Sequence, residues 1–156
     1  MALTIEPYTV PDIYGEYAED PDAAALIKLY MAAEGDENGD FDEWATHEMD
    51  KLAASDVYVI RAETPKILGF LAVNITELRG QKTLFVEAIA VDASLRRRKI
   101  GSRIMAFAEM LALDNDCTSI QGYALDDPQV VSFYQRHGYD SLDTRGPYVQ
   151  MAKTLG

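Results

Sequence analysis

Val91-Asp92-Ala93-Ser94-Leu95-Arg96-Arg97-Arg98-Lys99-Ile100-Gly101-Ser102 is the stretch on which the reading of this 156-residue sequence turns. Before it, Thr83 to Val91 is an apolar run with β-branched residues and one acid, Glu87, set inside it, the composition of a part-buried strand. After it, Ile100, Ile104, Phe107 and Leu111 recur at helical spacing, so Ile100 to Leu113 is predicted to be a helix with one apolar stripe. A strand therefore ends, four consecutive cations follow, and a helix begins. The first turn of a helix presents backbone N–H groups without intrahelical partners at the positive end of the helix dipole, so it stabilises an anion. Arg96, Arg97, Arg98 and Lys99 concentrate positive charge at that point in a chain of net charge −12. Charge alone leaves two readings open: a bound anion such as a pyrophosphate, or a solvated basic turn neutralised by the acidic surface around it.

Working outward, Val57 to Ile60 and Ile67 to Thr76 are short apolar runs separated by the turn Glu63 to Lys66, and a second turn from Leu78 to Lys82 contains Gly80. With Thr83 to Val91 they predict an antiparallel meander. Leu3 to Val10 reads as a first strand. Asp22 to Ala33 carries Ala25, Leu26, Leu29 and Tyr30 at helical spacing, and Phe41 to Ala54 reads as a second helix after an acidic loop. On the other side, Ser119 to Leu125 reads as a strand and Pro128 to His137 as a helix. Asp127 can cap that helix, Pro128 suits its first turn and Gly138 its end. Tyr139 to Leu142 and Tyr148 to Lys153 are two short strands around the turn Arg145-Gly146-Pro147. This order predicts an α/β architecture with a mixed sheet.

Length and composition bound the rest. The chain is one domain's worth of sequence, long enough to bury a core. No apolar stretch approaches the roughly 20 residues of a membrane span, and Met1 to Val10 lacks the basic start and apolar run of a signal peptide. Cys117 is the single cysteine; it reads as a buried structural thiol and fits a reducing cytoplasm. A net charge of −12 repels phosphate backbones, so nucleic acid is not an expected partner. The same acidity either attracts a cationic partner or only keeps the protein dispersed in water. Asp36, Asn38, Asp40 and Asp42 alternate like the start of a calcium-binding loop. Phe41 and His47, however, stand where its glycine and its bidentate glutamate are needed, so no metal is expected.

The strand Phe85 to Val91 followed by Arg96-Arg97-Arg98-Lys99-Ile100-Gly101 resembles the acetyl-CoA-binding motif of the GNAT N-acetyltransferase family. That motif runs Gln or Arg, two variable residues, Gly, one variable residue, then Gly or Ala. Arg96 and Gly101 match its ends, and Lys99 stands where the family has its first glycine. Asp127-Pro128-Gln129-Val130-Val131-Ser132-Phe133-Tyr134-Gln135-Arg136-His137-Gly138-Tyr139 resembles the family segment that begins with Asn and continues to Phe or Leu before Tyr, a basic residue, and Gly-Phe or Gly-Tyr. Asp127 occupies the place of the Asn. The two motifs stand in family order and cover about residues 83–140.

The resemblance implies a single N-acetyltransferase domain over residues 1–156, with a mixed, mostly antiparallel sheet of six to seven strands flanked by about four helices. It implies acetyl-CoA as co-substrate and no metal. Arg96, Arg97, Arg98, Lys99, Ile100, Gly101 and Ser102 then cradle the pyrophosphate. Backbone groups of Ile89, Ala90 and Val91 pair with the pantetheine arm, and Asp127 and Tyr134 lie along the cofactor. Tyr134 matches the tyrosine that gives its proton to the CoA sulfur, and Glu87 resembles the glutamate that meets the amine in polyamine-type acetyltransferases, directly or through water. Read as bare residues, Tyr134 also fits a core aromatic, Glu87 a strand acid facing solvent, and the proton path a chain of ordered water. The implied acceptor is an amine of a small molecule or a protein, cationic if the acidic surface selects it. The alternative is an acyl-CoA-binding or regulatory protein of the same fold that has lost catalysis. Family members dimerise through sheet edges or terminal strands, and a homodimer is compatible with this chain.

Overall fold

A computed structural model describes residues 3–10, 20–61, 66–95 and 99–155; Arg96, Arg97 and Arg98, and most of the turn predicted at Glu63 to Lys66, lie outside the described residues. Seven strands are described: β1 (Thr4–Tyr8), β2 (Asp56–Arg61), β3 (Ile67–Leu78), β4 (Gln81–Val91), β5 (Ser119–Leu125), β6 (Asp140–Arg145) and β7 (Tyr148–Thr154). Four α-helices are described: α1 (Pro21–Ala33), α2 (Phe41–Ala53), α3 (Ile100–Asp114) and α4 (Pro128–Arg136). The strand order is β1-β2-β3-β4-β5-β7-β6, with β4 and β5 parallel and the pairs β1–β2, β2–β3, β5–β7 and β6–β7 antiparallel. This is the mixed, mostly antiparallel α/β sheet that the sequence implied. The chain divides into two compact units, Met1–Val73 with Glu87–Arg98, and Asn74–Val86 with Lys99–Gly156.

In the first unit, α1 starts where Asp20 turns its carboxylate onto the amides of Asp22 and Ala23, at 2.9 and 3.4 Å, with Pro21 in the first turn. The Tyr8 hydroxyl donates to the same carboxylate at 3.0 Å. Helix α1 buries Ala23, Leu26, Ile27, Tyr30 and Met31. These join Ala45 and Leu52 of α2, Val57 and Val59 of β2, Phe70 and Ala72 of β3, and Ala88 and Ala90 of β4 in one apolar core. The register makes Val59 the partner of Phe70 and Val57 the partner of Ala72, so one sheet face supplies both pairs. Arg61 forks from Glu6 at 2.6 Å to Asp22 at 2.9 Å, tying β2 to β1 and to the start of α1.

In the second unit, β3 turns into β4 through Arg79 and Gly80, both left-handed (φ 53° and 78°), the geometry of a two-residue hairpin whose twist matches its strands. The parallel register of β4 with β5 runs from Thr83–Ser119 to Val86–Gly122. A Cβ at Gly122 would stand 3.2 Å from Val86, so glycine permits that last close pair. Helix α3 buries Ile100, Ile104, Met105, Ala108 and Ala112. The predicted stripe is thus rotated: Phe107 and Leu111 flank the interface half-buried. Fully buried Ala108 and Ala112 let the helix approach closely, and a pattern built on large side chains does not register them. Strand β6 begins at Asp140, not Tyr139, and reaches Arg145 with every residue exposed, while Tyr139 turns inward just before it. Cys117 is buried, and burial pushes its thiol pKa up, as suits a structural cysteine. Among the described residues, no helix is long and apolar enough to cross a membrane.

Candidate active site

Helices α1, α2 and α4 each begin under an aspartate. Asp40 accepts from the Glu43 amide at 3.1 Å, and Asp127 from those of Gln129 and Val130 at 2.8 and 3.4 Å. Helix α3 begins under Lys99, which has no acceptor to offer and makes no side-chain cap. Among the described residues, no side chain caps the first turn of α3, where the Ile100, Gly101 and Ser102 amides lie. Lys99 itself is left-handed, φ 59° and ψ 23°, a backbone region that glycine enters freely and other residues rarely. At Gly101 an added Cβ would meet the Phe133 ring at 3.0 Å, so the glycine lets α4 close on the start of α3. Ser102 Oγ lies 3.1 Å from His137 Nε2.

Left-handed backbone costs a non-glycine residue about 1–2 kcal/mol, against the roughly 0.5–1 kcal/mol of extra chain entropy that glycine gives up on folding. Lys99→Gly is therefore expected to raise the melting temperature by about 1–4 °C. A melting temperature that falls in calorimetry would show that Lys99 makes contacts outweighing the strain.

Helix α4 ends at a left-handed Gly138 (φ 88°), and the Tyr134 carbonyl accepts from the amides of His137 and Tyr139 at 3.0 and 3.1 Å. Tyr134 is half-buried. Its ring stands edge-on to Phe133 (5.6 Å, 81°) and to Tyr139 (5.5 Å, 79°). Tyr139 is buried, and that burial, followed by its neighbours Tyr134 and Glu109, raises its phenol above the ordinary value. Asp127 spends its carboxylate on the start of this helix, the capping role that its place before Pro128 suggested.

The C-terminal part of β4 belongs to the first unit. Val86, Ala88 and Ala90 are buried and alternate with half-buried Glu87, Ile89 and Val91. The described register of β4 with β5 ends at Val86–Gly122, just before Glu87. Asp92 then accepts from the Ser94 amide at 2.9 Å and the Ser94 hydroxyl at 2.6 Å, and these bonds hold its carboxyl below the usual range. The turn Ala93–Leu95, anchored by buried Leu95, leads into the arginines.

The sequence reading missed Lys51, which interacts electrostatically with Glu87. Lys51 Nζ donates to the Tyr30 hydroxyl at 2.7 Å and stands 3.5 Å from Glu48 Oε2. That oxygen is buried and accepts no hydrogen bond among the described residues, so its link to Lys51 is one of charge. Burial works to lower the Lys51 pKa, but the Tyr30 bond and the charges of Glu48 and Glu87 outweigh it, and the ammonium titrates above its ordinary value. Tyr30 was legible as a helix-face aromatic; nothing in local spacing pairs it with Lys51, 21 residues away.

Two features fit a coenzyme A diphosphate: a first turn of α3 without a side-chain cap among the described residues, and a left-handed residue leading into it. The acetyltransferase (GNAT) family model matches residues 20–139. No match is found among curated proteins. Among solved structures, PH1933 from Pyrococcus horikoshii OT3 is similar at a TM-score of 0.75, with 17% identity and 99% of both chains covered. The PaiA N-acetyltransferase from Thermoplasma acidophilum in complex with coenzyme A is similar at 0.68, with 17% identity over 99% of this chain and 100% of that one. A GNAT family acetyltransferase from Elizabethkingia anophelis with acetyl-CoA bound is similar at 0.69, with 14% identity and 98% of both chains covered.

Proposed function

The chain belongs to the GNAT acetyltransferase family, and from that premise we propose that it moves the acetyl group of acetyl-CoA directly to a primary amine of a small molecule or protein, in a ternary complex. The first turn of α3, without a side-chain cap among the described residues and following Arg96 to Arg98 in the sequence, is the observation that carries the proposal. Acetyl-CoA, the family's co-substrate, supplies an activated thioester; the protein has to bind it, take a proton from the amine and stabilise the departing sulfur.

In this reading the amides of Ile100, Gly101 and Ser102, with the cations Arg96, Arg97, Arg98 and Lys99, hold the pyrophosphate. The backbone of Ile89, Ala90 and Val91, beyond the β5 register, pairs with the pantetheine arm as an added strand would. Asp127 keeps α4 capped beside the cofactor. Tyr134 gives its proton to the sulfur, and Glu87 takes the proton of the acceptor ammonium. The acidic net charge favours a cationic amine, and the buried single thiol suits a cytoplasmic setting.

Thermal unfolding with and without acetyl-CoA tests the binding half. At 100 times its dissociation constant a native-state ligand adds roughly 2.7 kcal/mol, a clear rise in melting temperature. Release of CoA thiol with one pool of amines and not others tests the transfer half. No rise at saturating acetyl-CoA removes the site; a rise without thiol release in any amine pool favours the acyl-CoA-binding alternative.

A further inference from the structure

Ser102 and His137 carry an inference about how the first turn of α3 is set for its ligand. Both lie in the second unit, 35 residues apart, one in the opening turn of α3 and the other closing α4. The His137 ring is held in place: Phe133 stands 4.7 Å from it at 62°, and Phe133 itself packs where Gly101 has no side chain. The His137 carbonyl accepts from Lys153 Nζ at 3.0 Å, and the same ammonium pairs with Glu109 of α3 at 3.2 Å. The imidazole is thus held between Ser102 of α3 and Phe133 of α4, and Lys153 of β7 holds the His137 main chain, with Nε2 within hydrogen-bond distance of the serine.

A serine hydroxyl has one proton to give. If Nε2 accepts it, Ser102 turns only lone pairs toward an anion at the helix start. If Nε2 carries a hydrogen, Ser102 accepts from the ring and its own proton points outward. With an anion present the second arrangement lines both dipoles head to tail toward the negative charge, and the two hydrogen bonds reinforce each other. We infer that His137 is a positioning residue whose Nε2–H donates to Ser102 Oγ, making Ser102 a donor to a pyrophosphate oxygen of coenzyme A. The inference rests on the placement of the pyrophosphate at α3 proposed above.

Calorimetric titration of the full chain with CoA tests it. Ser102→Ala and His137→Leu are each expected to weaken binding about tenfold, and the double variant no more than either alone, because the two act as one donor. His137→Gln, whose amide N–H can stand in for Nε2–H, is expected to stay within about twofold of the wild type. Wild-type affinity in His137→Leu, losses that multiply in the double variant, or His137→Gln as weak as His137→Leu would each overturn the inference. Should His137→Leu not fold, Ser102→Ala against Ser102→Thr decides: loss in the alanine variant alone supports a donating hydroxyl, and equal affinity overturns it. Arg96→Glu separates this failure from that of the underlying site. If it weakens CoA binding while His137→Leu does not, only the positioning role falls; if neither does, the pyrophosphate is not held at α3.

Discussion

Tyr134→Phe is expected to lower kcat by about a hundredfold to a thousandfold while leaving the dissociation constant of acetyl-CoA within about twofold, the signature of a group used only in the transition state. A phenol placed at the departing sulfur can donate its proton as the thiolate forms, which stabilises the leaving group. The change removes one oxygen and keeps the ring, so the edge-on contacts with Phe133 and Tyr139 survive. Stability should therefore move by no more than about 0.5–1 kcal/mol. Tyr139 supplies the control. It is a second tyrosine in the same aromatic row, but it is buried and its phenol is pushed up. Tyr139→Phe should leave kcat within a few-fold, about the scatter expected of a conservative change away from the chemistry. If Tyr134→Phe instead raises the dissociation constant and spares kcat, Tyr134 packs against the cofactor and does not donate.

What could be read from the sequence divides by the range of the physics. The cap of α4 was legible because Asp127, Pro128 and Gly138 act within a few residues of themselves, and each was found doing what its chemistry suggests. The succession of strand, basic segment and helix was legible from the change of period between β4 and α3. The burial face of α3 was not, since Ala108 and Ala112 bury no less completely than Ile104 but weigh little in an apolar pattern. Lys99 was legible as a departure from a glycine position. Its left-handed backbone, a region glycine favours, emerges only in the folded chain, and its side chain offers no acceptor to cap α3. Tertiary pairings such as Ser102 with His137, or Tyr30 with Lys51, leave no periodic trace because fold topology, not spacing, brings them together.

The neighbourhood of Glu87 decides the remaining prediction. A primary amine of lysine type, near pKa 10.4, is only about one part in 2,500 unprotonated at pH 7, so an enzyme that takes the ammonium must remove a proton before attack. Glu87 is the half-buried carboxylate on the strand that continues into the basic segment, and the protonated Lys51 lies within electrostatic reach of it. Glu87→Gln keeps the shape of the side chain and removes its capacity to accept a proton. Its kcat/KM at neutral pH is expected to fall about a hundredfold to a thousandfold. The loss should shrink by about tenfold per pH unit toward the pKa of the amine, because solvent then does the work of the base and the wild type, already supplied with one, gains less. The sign is the diagnostic: a variant that recovers with rising pH has lost a base. One that stays uniformly weak across the range has lost a contact to the amine, and one that matches the wild type throughout leaves proton removal to ordered water. The same substitution also takes a negative charge away from Lys51, so the Lys51 ammonium should titrate lower in Glu87→Gln, a shift that NMR of the ε-ammonium group can follow. A lowered Lys51 with an unchanged pH–rate profile would place Glu87 in the Tyr30–Lys51–Glu48 network as a structural charge, apart from the chemistry.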